Sequence, residues 1–147
     1  MGILLVLIPG NPGLPQIPSV DVDIPEGSLQ AVDHLAGLGH RQIAFLNGPA
    51  NSKYGVQRSL GFRRGMKKKG LPIRKEMVLA SDFTEQGWYE GIKKFLSLTP
   101  PPTAVMVINN FGAIGALRAP LGLLKRWVTA FLKISPLSAT GMSLLPP

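Results

Sequence analysis

Residues 20–46, VDVDIPEGSLQAVDHLAGLGHRQIAFL, decide the fold. Two short apolar runs flank a segment in which Leu29, Val32, Leu35 and Ala36 fall three to four apart, the spacing of one helical face. Pro25 suits a first helical turn, where a missing N–H costs nothing, and Glu26 meets the positive end of the helix dipole. Gly39 is placed to end the helix in the left-handed conformation that residues with a Cβ resist. From His40 the period becomes extended, and the apolar run stops at Asn47-Gly48-Pro49, all turn residues. The stretch predicts a β-α-β unit with strands over residues 19–23 and 42–46.

Outward from this unit, residues 3–8 form an apolar run without the basic flank and cleavage site of a secretory signal. The run is far shorter than the ~20 residues of a membrane span. It predicts a buried parallel strand, because strands covered on both faces read as continuous apolar runs. Residues 10–18, with Gly10, Pro12, Gly13, Pro15 and Pro18, read as a loop. On the other side come a helix over residues 54–69 closed by Gly70-Leu71-Pro72, a strand over 77–80, and a helix capped by Thr84. The stripe Trp88, Ile92, Phe95, Leu96 gives that helix one apolar face, so Trp88 reads as core rather than as a ligand platform. A proline-rich connection and a buried strand over 103–108 follow. Strands alternating with helices predict a parallel sheet with helical layers.

The chain of 147 residues can bury one core. Its lack of cysteine excludes a disulfide scaffold and a thiolate metal site, and fits a reducing cytoplasm. A net charge of +8 raises a nucleic-acid reading. The cations cluster in residues 63–69, at Lys93-Lys94 and after Leu117, and on helices such clusters read as solvated faces. No phosphate-cradling glycine loop, Ser-His-Asp set or metal-ligand spacing appears; His34 and His40 are six apart, Asp33 and Asp21 lie on different elements, and neither set makes a site. The sequence predicts no enzyme, metal or cofactor.

The set Val22-Asp23, Gly27, Ala31, His34-Leu35, Leu38-Gly39-His40-Arg41 and Ile43-Ala44 resembles the effector-binding core of LacI-family bacterial transcription regulators. Arg58 with Gly61-Phe62, and Asn109-Asn110 with Ala113 and Gly115-Ala116, extend the resemblance. It implies an α/β, partial periplasmic-binding-protein-like type I fold, a Rossmann-like parallel sheet flanked by helices. Residues 1–23 would be a remnant of the N-terminal lobe and residues 24–119 an incomplete C-terminal lobe, with the inter-lobe hinge at Asp23, Ile24 and Pro25. In the family the arginine at Arg58 reaches into the ligand cleft. A guanidinium and a helix start suit sugar hydroxyls or a carboxylate, and a local surface ion pair is the competing reading. Phe83, at a strand's carboxyl end, is implied to stack on the effector's ring, with loop packing as the alternative. Asn110 stands where the pattern has an aspartate that accepts hydrogen bonds from the ligand; the amide keeps an acceptor, loses the charge and adds donors.

The implied partners are a small sugar or purine-like effector and, in intact relatives, a second copy in a homodimer. DNA would be contacted only through a headpiece absent from this chain, in the cytoplasm and with no membrane. A periplasmic sugar-binding protein of the same fold is the alternative, disfavoured by the Gly-His-Arg set and the missing export signal.

After Ala119 the pattern stops. At face value Leu121, Leu124, Val128, Phe131 and Leu132 predict an amphipathic helix of the kind that lies on a membrane or a partner. However, codons exist for residues 124–147 that, read two bases out of phase, spell EEVGYRFPEDIAVIGYGDVAPSA, which is similar to the segment the family carries next. Trp127 and Met142, which have single codons, comply. Residues 120–147 therefore read as a frameshifted, non-native tail that begins between about Ala119 and Leu124.

Overall fold

The structure, a computed structural model, describes residues 5–8, 16–118 and 128–131. Helix α1 (Ile24–Gly37) is capped by Asp23, whose carboxylate accepts the Glu26 N–H at 2.9 Å. It stops as the sequence predicts. Gly39 has φ +92°, its N–H bonds the Ala36 carbonyl at 3.1 Å, and the His40 N–H bonds the Leu35 carbonyl at 3.1 Å. This bond pair satisfies carbonyls that the helix end would leave bare. Strand β1 (Ile43–Asn47) follows and is buried throughout.

Helix α2 (Lys53–Lys68) starts at Ser52, whose Oγ accepts the Gly55 N–H, and ends at Gly70 with the same bond pair as α1. A 3-10 turn (Lys75–Met77) leads into strand β2 (Val78–Ala80). Thr84 caps helix α3 (Glu85–Leu96), strand β3 (Ala104–Val107) follows, and helix α4 (Asn110–Arg118) and strand β4 (Val128–Phe131) complete the described elements.

The four strands are parallel in the order β2-β1-β3-β4, with Phe45 opposite Val78 on one side and Met106 on the other. From β1 the chain crosses outward through α2 to β2, then back through α3 to β3. Right-handed crossovers in opposite directions put α2 and α3 on opposite faces of the sheet. The β1 side chains show the two faces: Phe45 stacks on Phe62 of α2 at 4.7 Å, while the next residue, Leu46, fills the space beside Gly91 of α3. Trp88, Ile92 and Phe95 are buried, as their spacing predicted.

Three expectations fail. Residues 19–23 form no strand; Ser19 makes a single parallel bridge to Leu7, held by the Leu7 N–H on the Pro18 carbonyl and the Val20 N–H on the Leu7 carbonyl. Leu5, Val6 and Ile8 are not buried: they are 52%, 48% and 59% exposed, because no layer covers this bridge among the described residues. The amphipathic helix expected across Val128 and Phe131 is also absent there. Those residues pair in parallel with β3 from Ala104 to Val107, whose edge offers unpaired N–H and carbonyl groups. Leu121, Leu124 and Leu132 lie outside the described residues, as does the rest of the expected tail.

Candidate functional site

Strands β1, β2 and β3 point the same way, so their carboxyl ends and the starts of α2, α3 and α4 share one edge of the sheet. β1 lies between crossovers that run in opposite directions, and open α/β sheets bind ligands outside the carboxyl ends at such a switch point. Ser52, Thr84 and Asn109 give these three helices their N-terminal caps, and each uncapped N–H adds a donor at the positive end of a helix dipole.

Phe83 follows β2 in a turn where its φ is +68°. For a residue with a Cβ, such a backbone costs of order 1–3 kcal/mol and persists only when its surroundings impose it. Its ring lies over the main chain of Gly48 at the end of β1, and its centroid is 6.2 Å from that of Trp88. The ring is 47% exposed whereas Trp88 is wholly buried, so Phe83 presents a face to solvent on a fixed base.

Arg58 sits in the second turn of α2, half buried. Burial lowers its guanidinium from the ordinary value, the neighbouring Tyr54 partly opposes this, and the group stays charged at neutral pH. Among the described residues the ion pairs join Lys68 and Lys69 to Asp33, Arg74 to Glu76 and Lys93 to Glu90. The local ion pair of the competing reading is therefore not formed by Arg58 within that set.

The two asparagines after β3 divide their work. Asn109 Oδ1 accepts the Gly112 N–H at 2.7 Å, which makes Asn109 the cap of α4 and leaves Asn110 exposed at the first helical position. Asp23 caps α1, with Ile24 buried and Pro25 in the first turn; α1 runs antiparallel to the strands, so this group lies at the same edge.

Sequence reading missed Asn47 as more than a turn residue. It is 4% exposed and bonds to α2, to its own loop and to the loop before Phe83. The one signal was a lone amide closing the apolar run IAFLN.

A cavity of about 280 Å³ between β2 and α3 is lined by Leu79, Ser81, Asp82, Gly87, Glu90 and Lys94, and contains none of Arg58, Phe83 or Asn110. In it the hydroxyl and N–H of Thr84 hold the Asp82 carboxyl below its usual range. No cluster of three or more metal-ligating side chains occurs among the described residues.

A doubly wound parallel sheet whose loops open on one edge has the architecture of one ligand-binding lobe. Residues 32–122 match the periplasmic binding protein-like domain, and the chain belongs to that family. Its relatives are LacI-family transcription regulators, which are not enzymes. It is 36% identical to the regulator AglR of Rhizobium meliloti over 102 residues, covering 69% of this chain and 29% of AglR. With catabolite control protein A of Priestia megaterium it shares 33% identity over 106 residues, 69% of this chain and 31% of that protein. A solved LacI-family regulatory protein from Chloroflexus aggregans superposes with a TM-score of 0.72 at 33% identity, over 81% of this chain and 44% of the other. The chain thus spans about a third of its curated relatives. No helix among the described residues is long and apolar enough to cross a membrane.

Proposed function

We propose that the chain carries the effector-sensing lobe of a LacI-type cytoplasmic transcription regulator, in which Arg58, Phe83 and Asn110 hold a small sugar or nucleobase-like effector. The observation that carries this reading is the Phe83 backbone at φ +68°, which sets an exposed ring over the switch point of the sheet. A flat ring offers an apolar face to a sugar or base, the guanidinium of Arg58 offers donors in a fixed plane, and the Asn110 amide offers both a donor and an acceptor. An effector seated between this lobe and a second one favours the closed arrangement by the contacts made only there. Asp23, Ile24 and Pro25 are the hinge of that motion, and the switched output is DNA affinity in a homodimer with a separate headpiece. A relative of known structure, 26% identical with a TM-score of 0.69, is described as a CelR–cellobiose complex, which favours a sugar.

Thermal-shift measurements with glucose, cellobiose and hypoxanthine, on this chain and on a frame-restored form, test the reading. One compound class is expected to raise Tm, and Arg58→Ala and Phe83→Ala to abolish the rise. A rise that survives both substitutions, or none with any compound, overturns it.

We also infer that residues 120–147 are read out of the frame that encodes residues 24–119. Support comes from the family match, which stops at residue 122, and from the family-like peptide available in the second frame of residues 124–147. Sequencing the coding DNA decides it: codons that do not spell that peptide in the second frame overturn the inference.

A further inference from the structure

We infer that Asn47 is a positioning residue that seats Arg58 relative to Phe83; the inference rests on the reading of those two as effector contacts. Asn47 closes a strand that is otherwise apolar and is itself 4% exposed. A buried amide destabilises unless its groups are bonded, so what it bonds to indicates what it is there to hold. Its Nδ2 donates to the Gly55 carbonyl at 2.9 Å and to Ser59 Oγ at 3.1 Å, and its Oδ1 accepts the Gly48 N–H at 2.9 Å. Its main-chain carbonyl accepts the Ser81 N–H at 2.8 Å.

These bonds run to two different places. Gly55 and Ser59 bracket Arg58 on α2, so the side chain fixes how far and at what rotation that helix start stands from β1. Ser81 lies two residues before Phe83, so the main chain fixes the aromatic loop. The joint has no slack: a Cβ on Gly55 would stand 2.5 Å from the Pro49 carbonyl oxygen and 2.6 Å from Ser52 Oγ. The Gly48 bonded by Asn47 is also the residue whose bare Cα admits the Phe83 ring. Asparagine suits the place because it donates twice and accepts once; aspartate keeps the acceptor and the shape but has no donor for Gly55 or Ser59.

The side-chain and main-chain halves are separable in the full chain without effector. In Asn47→Ala the NMR signal of the Arg58 Nε–H is expected to move, and Gly48 N–H exchange to rise about tenfold, while Ser81 N–H protection stays within about threefold. Asn47→Asp is expected to keep Gly48 protected and still move the Arg58 signal. Ile43→Val, a truncation elsewhere on β1, controls for general loosening and is expected to leave that signal in place. An unmoved Arg58 signal in both Asn47 variants, or an equal movement in Ile43→Val, overturns the inference. These readouts need no effector, so failure of every sugar and purine to bind would overturn the effector reading alone.

Discussion

Phe83 rests on Gly48: a Cβ built on Gly48 would stand 2.5 Å from Phe83 Cζ and 2.7 Å from Cε1. A side chain at position 48 would therefore meet the ring above it, and Ile108 Cδ1 at 3.2 Å. The ring is half exposed and hinged at its own side chain, so a methyl group at position 48 can be relieved by swinging the ring outward. Gly48→Ala is expected to change stability by less than about 1 kcal/mol, well under the cost of overpacking a rigid core. It is expected to shift the emission of Trp88, which the ring neighbours, and to weaken the effector-induced rise in Tm. A loss of stability without a Trp88 change would mean that the ring stays and the main chain moves instead.

The left-handed backbone at Phe83 leads to a second expectation. Asparagine tolerates this conformation better than phenylalanine, so Phe83→Asn relieves strain of order 1 kcal/mol while giving up the ring's contacts with Gly48 and Trp88. Urea unfolding of Phe83→Asn is expected to lie within about 1 kcal/mol of the parent. Effector binding is expected to be lost. A variant several times less stable than that would assign Phe83 to packing rather than to recognition.

Much of this was legible because the information is local. Gly39 after a helical period, Thr84 before one, and the Trp88 stripe each specify a conformation from neighbours within a few residues. Arg58, Phe83 and Asn110 share the strand-end edge because parallel topology sends every strand end there. The misses needed partners distant in sequence. Asn47 matters through Gly55, Ser59 and Ser81, and the ring of Phe83 is seated on Gly48, on another loop. Residues 3–8 and 19–23 have strand periodicity, but periodicity cannot tell whether a second layer covers them, and Leu5 and Ile8 are exposed. The tail read as a helix from its spacing, and the edge of β3 took Val128–Phe131 as a strand.

The stability of the chain is expected to fall on mild acidification through His40. Its ring, 3.1 Å from Thr103 Oγ1, is partly desolvated, which lowers its pKa below the ordinary imidazole value of 6.5. The unfolded chain then takes up the proton at a higher pH than the folded one. The contribution of the neutral ring is complete above pH 6.5 and is lost as pH falls through the lowered folded value. Melting curves between about pH 5 and about pH 8 are expected to show this slope, and His40→Gln to flatten it. A separate loss belongs below 3.8, where Asp33, held down first by its bond from Lys69, becomes protonated.

Gly61 explains why a glycine follows Arg58 by three positions. A Cβ there would run into the Pro25 carbonyl oxygen and stand 2.7 Å from Ser28 Cβ, both on α1. The obstacle is helix backbone, which cannot swing aside as the Phe83 ring can. Gly61→Ala therefore forces α1 and α2 apart, at an expected cost of about 1–3 kcal/mol that outweighs the helix-propensity gain of about 1 kcal/mol. Gly37→Ala is the matched control. A Cβ on Gly37 meets nothing within 4 Å, so stability is expected to rise by roughly 0.5–1 kcal/mol. Urea unfolding of the two variants checks the sign of each. The residue that Gly61 abuts is Pro25, at the proposed hinge, so separation of the helices there is also expected to weaken the effector-induced Tm rise, whereas Gly37→Ala leaves it intact. Equal destabilisation by both substitutions would mean that the close helix crossing is not what requires glycine at position 61.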